Sequence, residues 1–114
     1  MIGTLRKQLT LQDIMKVLKP VAENNRDFKI GVAGSFATGR NKRNSDIDIV
    51  IDGDSTNIDL EENIRNLFNV ETDILWVDLL KKEDKELDEI AVKYDLPIND
   101  ESVYKTVMKE VQWV

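Results

Sequence analysis

Residues 34–51 read GSFATGRNKRNSDIDIVI. A Gly-Ser pair, ten intervening residues and an Asp-X-Asp are set between two apolar runs, Phe28 to Ala33 and Ile47 to Ile51. The first run reads as a buried strand entering a tight turn at Gly34. Residues 35–40 read as a brief helical turn, and the polar Asn41-Lys42-Arg43-Asn44 reads as a loop. Asp46 to Ile51 alternates, with Ile47, Ile49 and Ile51 on one face and Asp46, Asp48 and Val50 on the other.

The acids of that second face set the chemistry. Asp46 and Asp48 leave one strand on the same side, roughly 6 to 7 Å apart along the chain. Two ionised carboxylates so placed repel each other unless a cation lies between them. Magnesium meets that need with one or two protein carboxylates, completed by water and substrate phosphates. A third acid from a neighbouring strand would complete the cluster. Asp73 is the best candidate, since its alternation in ETDILWV groups it with Leu75 and Val77. Glu71 shares that face earlier in the run, and Asp78 falls on the opposite face.

The glycine end suits an anion. Gly34 lets the backbone turn sharply and approach a ligand closely. Ser35 opens a helical turn whose first amides lack partners and can donate to phosphate oxygens. Gly39 gives the loop a second permissive point. Arg40, Lys42 and Arg43 form the densest basic cluster in an acidic chain, and Ser45 adds a hydroxyl beside the acids.

Composition narrows the options. At 114 residues the chain is expected to be a single domain, residues 1–114, with a core of about 11–98. Charged residues make up 33% and hydrophobic residues 41%, proportions that suit a folded globular chain. A net charge of -6 argues against a binder of long nucleic acid, which needs a basic surface. There is neither Cys nor His, so thiolate chemistry and imidazole bases are excluded and carboxylates must carry the site. No apolar run is long enough for a membrane span and no signal-peptide core opens the chain, which points to the cytoplasm.

The remaining elements follow from periodicity. Leu11, Ile14, Met15, Leu18, Val21 and Ala22 recur at helical spacing behind a Thr10/Asp13 variant of the capping box. Pro20 is expected to kink or end that helix. Asp59 to Phe68 reads as a helix, Val70 to Val77 as a third strand, Leu80 to Tyr94 as a helix, and Glu101 to Val111 as a final short helix. Trp76 reads as core rather than as a base-stacking residue, and Ile64, Leu67 and Phe68 also read as core. The order α-β-α-β-α-β-α-α gives an α+β fold, a small mixed sheet with helices packed on it.

GSFATGRNKRNSDIDIVI resembles the GS-x10-D-x-D signature of the DNA polymerase β-like nucleotidyltransferase superfamily. The short length and the downstream TDIL followed by a helix and Leu-Pro-Ile resemble its minimal nucleotidyltransferase (MNT) branch. The likeness covers roughly residues 11–98. It implies a polymerase β-like palm fold. It also implies that Gly34 and Ser35 contact nucleotide phosphates, that Asp46 and Asp48 hold two Mg²⁺ (or Mn²⁺), and that Asp73 is the third acid. In many members that third acid also helps to activate the attacking hydroxyl. Arg40, Lys42, Arg43 and Ser45 are the remaining candidates for nucleotide contact. Many minimal members carry Phe before the Gly-Ser, Arg directly after it and Arg before the second Gly, where this chain has Ala33, Phe36 and Thr38.

The implied reaction is transfer of a nucleoside monophosphate, AMP from ATP or the equivalent from another NTP, to a hydroxyl with release of pyrophosphate. Minimal relatives are often the antitoxin half of a toxin–antitoxin pair and can adenylylate a tyrosine of a HEPN-domain toxin. The leading expectation is an antitoxin of that kind, acting as a protein adenylyltransferase in a homo- or hetero-oligomer. Two alternatives stay open: a non-catalytic binding module on the same fold, and a small-molecule nucleotidyltransferase acting on an aminoglycoside-like acceptor.

Overall fold

A computed structural model describes residues 8–98 and 102–114. Four strands form one sheet in the order β3-β2-β1-β4. They are β1 (Lys29–Ala33), β2 (Ile47–Asp52), β3 (Thr72–Trp76) and β4 (Gln112–Trp113). β1 pairs antiparallel with both β2 and β4, whereas β2 and β3 run parallel. The helices are α1 (Leu11–Asn24), α2 (Gly34–Thr38), α3 (Ile58–Arg65), α4 (Val77–Lys93) and α5 (Val103–Glu110). The expected α+β class and the order of the first eight elements hold.

The two sheet faces are covered differently. Ile30, Val32, Ile47, Ile49, Ile51 and Trp76 share the first face and pack with Ile14 and Leu18 of α1, Phe36 of α2, and Leu60 and Ile64 of α3. Ala33, Val50 and Leu75 share the second face and meet Val77 and Leu80 of α4 and Val107 of α5. Strand alternation alone sorts these sets, because residues two apart project to the same side. β2 is apolar along its first face, and on its second face Val50 is the apolar residue between Asp48 and Asp52. Asp48 and Asp73 belong to the second face, at the end where α4 and α5 leave room.

Several boundaries differ from the expectations, among them the start of β2, which is Ile47 and leaves Asp46 outside the strand. α1 continues through Pro20 to Asn24 instead of breaking. Pro20 and Lys16 are both exposed, so the carbonyl that loses its donor can be hydrated while Ile14 and Leu18 hold the helix to the sheet. At its start, Thr10 Oγ1 accepts from the Asp13 amide at 3.2 Å and Asp13 Oδ2 accepts from the Thr10 amide at 3.0 Å, the reciprocal capping box. α3 stops at Arg65, short of Phe68, because the last turn tightens through the Leu67 amide bonding to the Ile64 carbonyl at 3.1 Å.

β3 is shorter than Val70 to Val77, since a Thr72 Oγ1 bond to the Val70 carbonyl at 3.0 Å holds a turn before it. α4 begins three residues before Leu80, at Val77, where Asp78 Oδ1 accepts from the Leu79 amide at 2.7 Å and Asp78 Oδ2 from the Ser55 amide at 3.3 Å. That places Asp78 in the first turn of a helix, favourable with its dipole, and removes it from the strand. The expected start of the last helix at Glu101 lies outside the described residues, and Ser102 caps α5 by accepting from the Lys105 amide at 3.2 Å.

β4 was not anticipated. It closes the free edge of β1, with Gly31 opposite Trp113 and Val32 opposite Gln112. Gly31 permits this approach: a Cβ there would stand 2.7 Å from Val111 Cγ2 and 2.9 Å from both the Gln112 carbonyl and Trp113 Cε3. The Lys29 ammonium lies 4.6 Å from the centre of the Trp113 ring, a cation–π contact across the same edge. Trp76 is core, as expected. Its Nε1–H donates to Glu61 Oε1 at 3.0 Å, and Phe28 meets its ring edge-on at a centroid distance of 6.2 Å.

Candidate active site

The parallel register of β2 and β3 sets Asp48 directly beside Asp73. In register on neighbouring strands, the two share the second face of the sheet. The Asp73 carboxylate is near enough for its charge to act directly on Asp48. Asp48 is half-buried and Asp73 exposed, so the pair sits at the rim of the covered face. Asp46 is two residues before Asp48, on the exposed approach to β2, and its charge also acts on Asp48. Partial burial raises the Asp48 pKa above the ordinary aspartate value, and the like charges of Asp73, Asp46 and Glu110 push it further in the same direction.

The Gly-Ser turn is built against this pair. Ala33, the last residue of β1, pairs with Asp48. Gly34 then takes φ 69°, and a Cβ built on it would collide with Asp48 Oδ2 and stand 3.2 Å from Asp48 Cγ. The glycine thus lets its own backbone and the Asp48 carboxylate occupy adjoining space. α2 starts at once, and no side chain caps its N-terminus. The first-turn amides of a helix have no intrahelical partners, which leaves donors next to the carboxylates. The turn is closed behind by Gly39, at φ 75°, and by Arg40, whose amide donates to the Ser35 carbonyl at 2.9 Å.

The residues after α2 take separate roles. Arg40, Lys42 and Arg43 are exposed on the loop between α2 and β2. Ser45 folds that loop: its Oγ accepts from the Lys42 amide at 2.7 Å, and its own amide donates to the Lys42 carbonyl at 3.1 Å. The positions where many minimal members carry other residues serve packing and local bonding here. Ala33 and Phe36 are buried, and Thr38 Oγ1 donates to the Gly34 carbonyl at 3.2 Å.

The donor set suits a hard divalent cation. Among the described residues no three acidic side chains are already arranged around one point as a metal cage. Two adjoining carboxylates are what magnesium commonly takes from a protein, the remaining positions going to water and substrate phosphates. The mutually repelling Asp48 and Asp73 fit that demand, with Asp46 on the exposed side.

Sequence reasoning missed Glu110, whose charge reaches Asp48 from the end of α5. The packing of α5 on α2 and α4 is a tertiary contact that leaves no periodic signal in the sequence. A cavity of about 550 Å³ lies between the start of α1 and α2, lined by Leu9, Thr10, Phe36, Thr38 and Gly39 among others. None of the acids lines it, so the carboxylate rim rather than this cavity is the candidate site.

Comparison with known proteins identifies relatives of this chain. The sequence profile of the family described as nucleotidyltransferase domain matches residues 14–114. A candidate protein adenylyltransferase of Methanocaldococcus jannaschii is 32% identical over 75 residues, covering 58% of this chain and 87% of that relative. A solved structure described as a toxin–antitoxin with AMP-PNP is 25% identical, with a TM-score of 0.42 over 61% of this chain. The match spans 59% of that solved chain's length.

Proposed function

Because the chain belongs to the nucleotidyltransferase domain family, we propose that it transfers AMP from ATP to a hydroxyl of a protein partner, in a reaction dependent on Mg²⁺. The observation that carries this reading is the Asp48–Asp73 pair, with Asp48 packed against Gly34. The name of the M. jannaschii relative supports a protein as acceptor. The resemblance to minimal nucleotidyltransferases supports a tyrosine of a HEPN-type toxin as the hydroxyl, with this chain as the antitoxin. A net charge of -6 suits docking to a basic, RNA-binding partner.

In this reading the acceptor oxygen attacks the α-phosphorus of ATP. A new P–O bond forms, the bond to the bridging α,β-oxygen breaks, and pyrophosphate leaves with the electron pair. Asp73 takes the proton of the attacking hydroxyl, a carboxylate role that resembles the third acid of the family. The first amides of α2 and the Ser35 hydroxyl orient the phosphate oxygens. Arg40, Lys42 and Arg43 offset triphosphate charge from the exposed loop. Magnesium held by Asp46, Asp48 and Asp73 would neutralise charge on the phosphates and the attacking oxygen. Phosphoryl transfer asks mainly for such positioning and charge compensation.

The test is transfer of label from α-labelled ATP with Mg²⁺ to the protein encoded by the neighbouring open reading frame. Incorporation should survive phenol extraction, map to tyrosine and disappear in Asp46→Asn and Asp48→Asn while both variants stay folded. Absence of label on protein, or full transfer by either variant, defeats the proposal. Label appearing on an aminoglycoside without any protein acceptor would move the reading to a small-molecule enzyme.

A further inference from the structure

We infer that the outer half of α4, with Leu87, Ile90 and Tyr94, is the surface on which the protein acceptor docks beside the carboxylate rim. The acceptor brings to it a helix with an apolar stripe bordered by basic side chains. The inference rests on the reading just given and adds where the acceptor is held.

The course of α4 carries it to the rim. Asp78, in its first turn, accepts from the Ser55 amide, beyond the end of β2 and at the opposite end of that strand from Asp48. Val77 and Leu80 pack on the second face with Val50 and Leu75. α4 also packs on α5, and α5 packs on α2, which starts at Gly34. α4 therefore crosses the second face from the Ser55 end towards the end that holds Asp48 and Asp73. Its 17 residues make a rod of about 25 Å. The 5 residues of β3 span roughly 17 Å. A helix that starts level with the end of β3 runs out of sheet after about eleven residues, near Leu87.

The helix surface changes character there. Leu80, Leu87, Ile90 and Tyr94 lie along one side at heptad spacing. Leu80 packs on the sheet, whereas Leu87, Ile90 and Tyr94 of the same stripe are 48%, 49% and 63% exposed. The chain then prolongs this surface. The Leu96 amide donates to the Ala91 carbonyl at 2.7 Å, folding the backbone onto the end of α4, and Leu96 and Ile98 are exposed as well. An amphipathic helix gains its stability by burying such a stripe, and a continuous exposed one marks an interaction site.

The charges beside the stripe select the occupant. Glu83 and Glu86 are exposed, each four residues before an apolar member of the stripe, Leu87 and Ile90, and so border it. From Glu86 to Asp95 the acids Glu86, Asp88, Glu89 and Asp95 face one base, Lys93. A second copy would set these acids against themselves. A partner helix with basic flanks complements them, laying its own apolar anchors along α4.

The test is calorimetric titration of the full chain with the protein encoded by the neighbouring open reading frame, alongside AMP transfer to that protein. Leu87→Ala combined with Tyr94→Ala should weaken binding about 30-fold, the scale of losing interface anchors. It should raise the KM for this acceptor and leave the melting temperature unchanged. Glu83→Lys combined with Glu86→Lys should also weaken binding. Val92→Ala, exposed on the opposite side of the helix, should bind as the parent does. Asp48→Asn should bind and transfer nothing.

Parent-like affinity in the alanine pair overturns the inference, as does absence of binding by the parent. Should the alanine pair fail to fold, parent-like binding by the lysine pair decides against it. A dimer of this chain alone in sedimentation, dissolved by the alanine pair, assigns the face to a second copy and also overturns it. If the parent transfers label while the alanine pair binds normally, only the docking surface fails. If the parent transfers no label, the reading of the reaction fails and the acceptor surface with it.

Discussion

The Asp48 carboxylate fills the space that a side chain on Gly34 would occupy, and Gly34 sits at φ 69°. The first feature of the sequence signature is therefore shaped around the second. Gly34→Ala must both adopt a left-handed backbone and displace Asp48. It should cost about 1–2 kcal/mol from the backbone alone and abolish Mn²⁺ binding. Gly39 is the contrast: its φ is 75°, but a Cβ would meet nothing within 4 Å. Gly39→Ala should lose stability similarly and keep its affinity for the ion. Chemical denaturation with parallel Mn²⁺ titration separates the two, and equal metal affinity in both variants would refute the shaping role of Gly34.

Asp48 links the site to pH. Its pKa is raised above 3.8 in the folded chain, by burial first and then by Asp73 and its neighbours. Between 3.8 and that raised value the native state holds more proton than the unfolded state. Stability therefore falls as pH rises through this window, and ionised Asp48 remains destabilising above it. Asp48→Asn should melt higher than the parent at pH 7 without metal, and the advantage should shrink to nothing as pH falls below about 3.8, where both forms are protonated. Salt should reduce the difference, since the pair is at the rim. A lower melting temperature for the variant at pH 7 would contradict the assignment.

Gly31 controls the far edge of the sheet. A methyl at this position runs into Val111, the Gln112 carbonyl and the Trp113 ring, all within 2.9 Å. Gly31→Ala should destabilise the protein by about 1–3 kcal/mol through overpacking and release β4. Amide exchange at Val114, whose N–H bonds to the Ile30 carbonyl at 2.9 Å, should accelerate. Retained protection at that amide would show that the edge absorbs the methyl by another shift.

Pro20 is a removable weakness. It interrupts the hydrogen bonding of α1 at an exposed position, while the buried Ile14 and Leu18 hold the helix in place. Pro20→Ala restores an N–H and should stabilise the chain by about 1–3 kcal/mol, raising the melting temperature without altering Mn²⁺ affinity. An unchanged or lower melting temperature would mean that the proline is favoured by its rigidity in the unfolded chain.

Much of this protein is local in origin. The alternation of Ile47, Asp48, Ile49, Val50 and Ile51 marks a strand with one apolar and one acidic-to-apolar face, and the fold keeps that division. Thr10 with Asp13 announces α1, and Gly34 announces a turn that only a glycine accommodates. These features depend on neighbours within a few residues, so periodicity and turn chemistry suffice to read them. The passage of α1 through Pro20 was not legible, because burial of Ile14 and Leu18 outweighs a local penalty.

Sequence alone determined that side-chain metal ligands, without His or Cys, must be carboxylates, and that Asp46 and Asp48 lie two residues apart, Asp48 in a strand beside a glycine turn. Tertiary structure decided which other acids join them. The parallel register of β2 and β3 sets Asp73 next to Asp48, a likelihood in the alternation but fixed only by strand pairing. The two residues of β4 close the free edge of β1 from the other end of the chain. Pairing register is a property of two segments held together by a shared core, and neither segment carries it by itself.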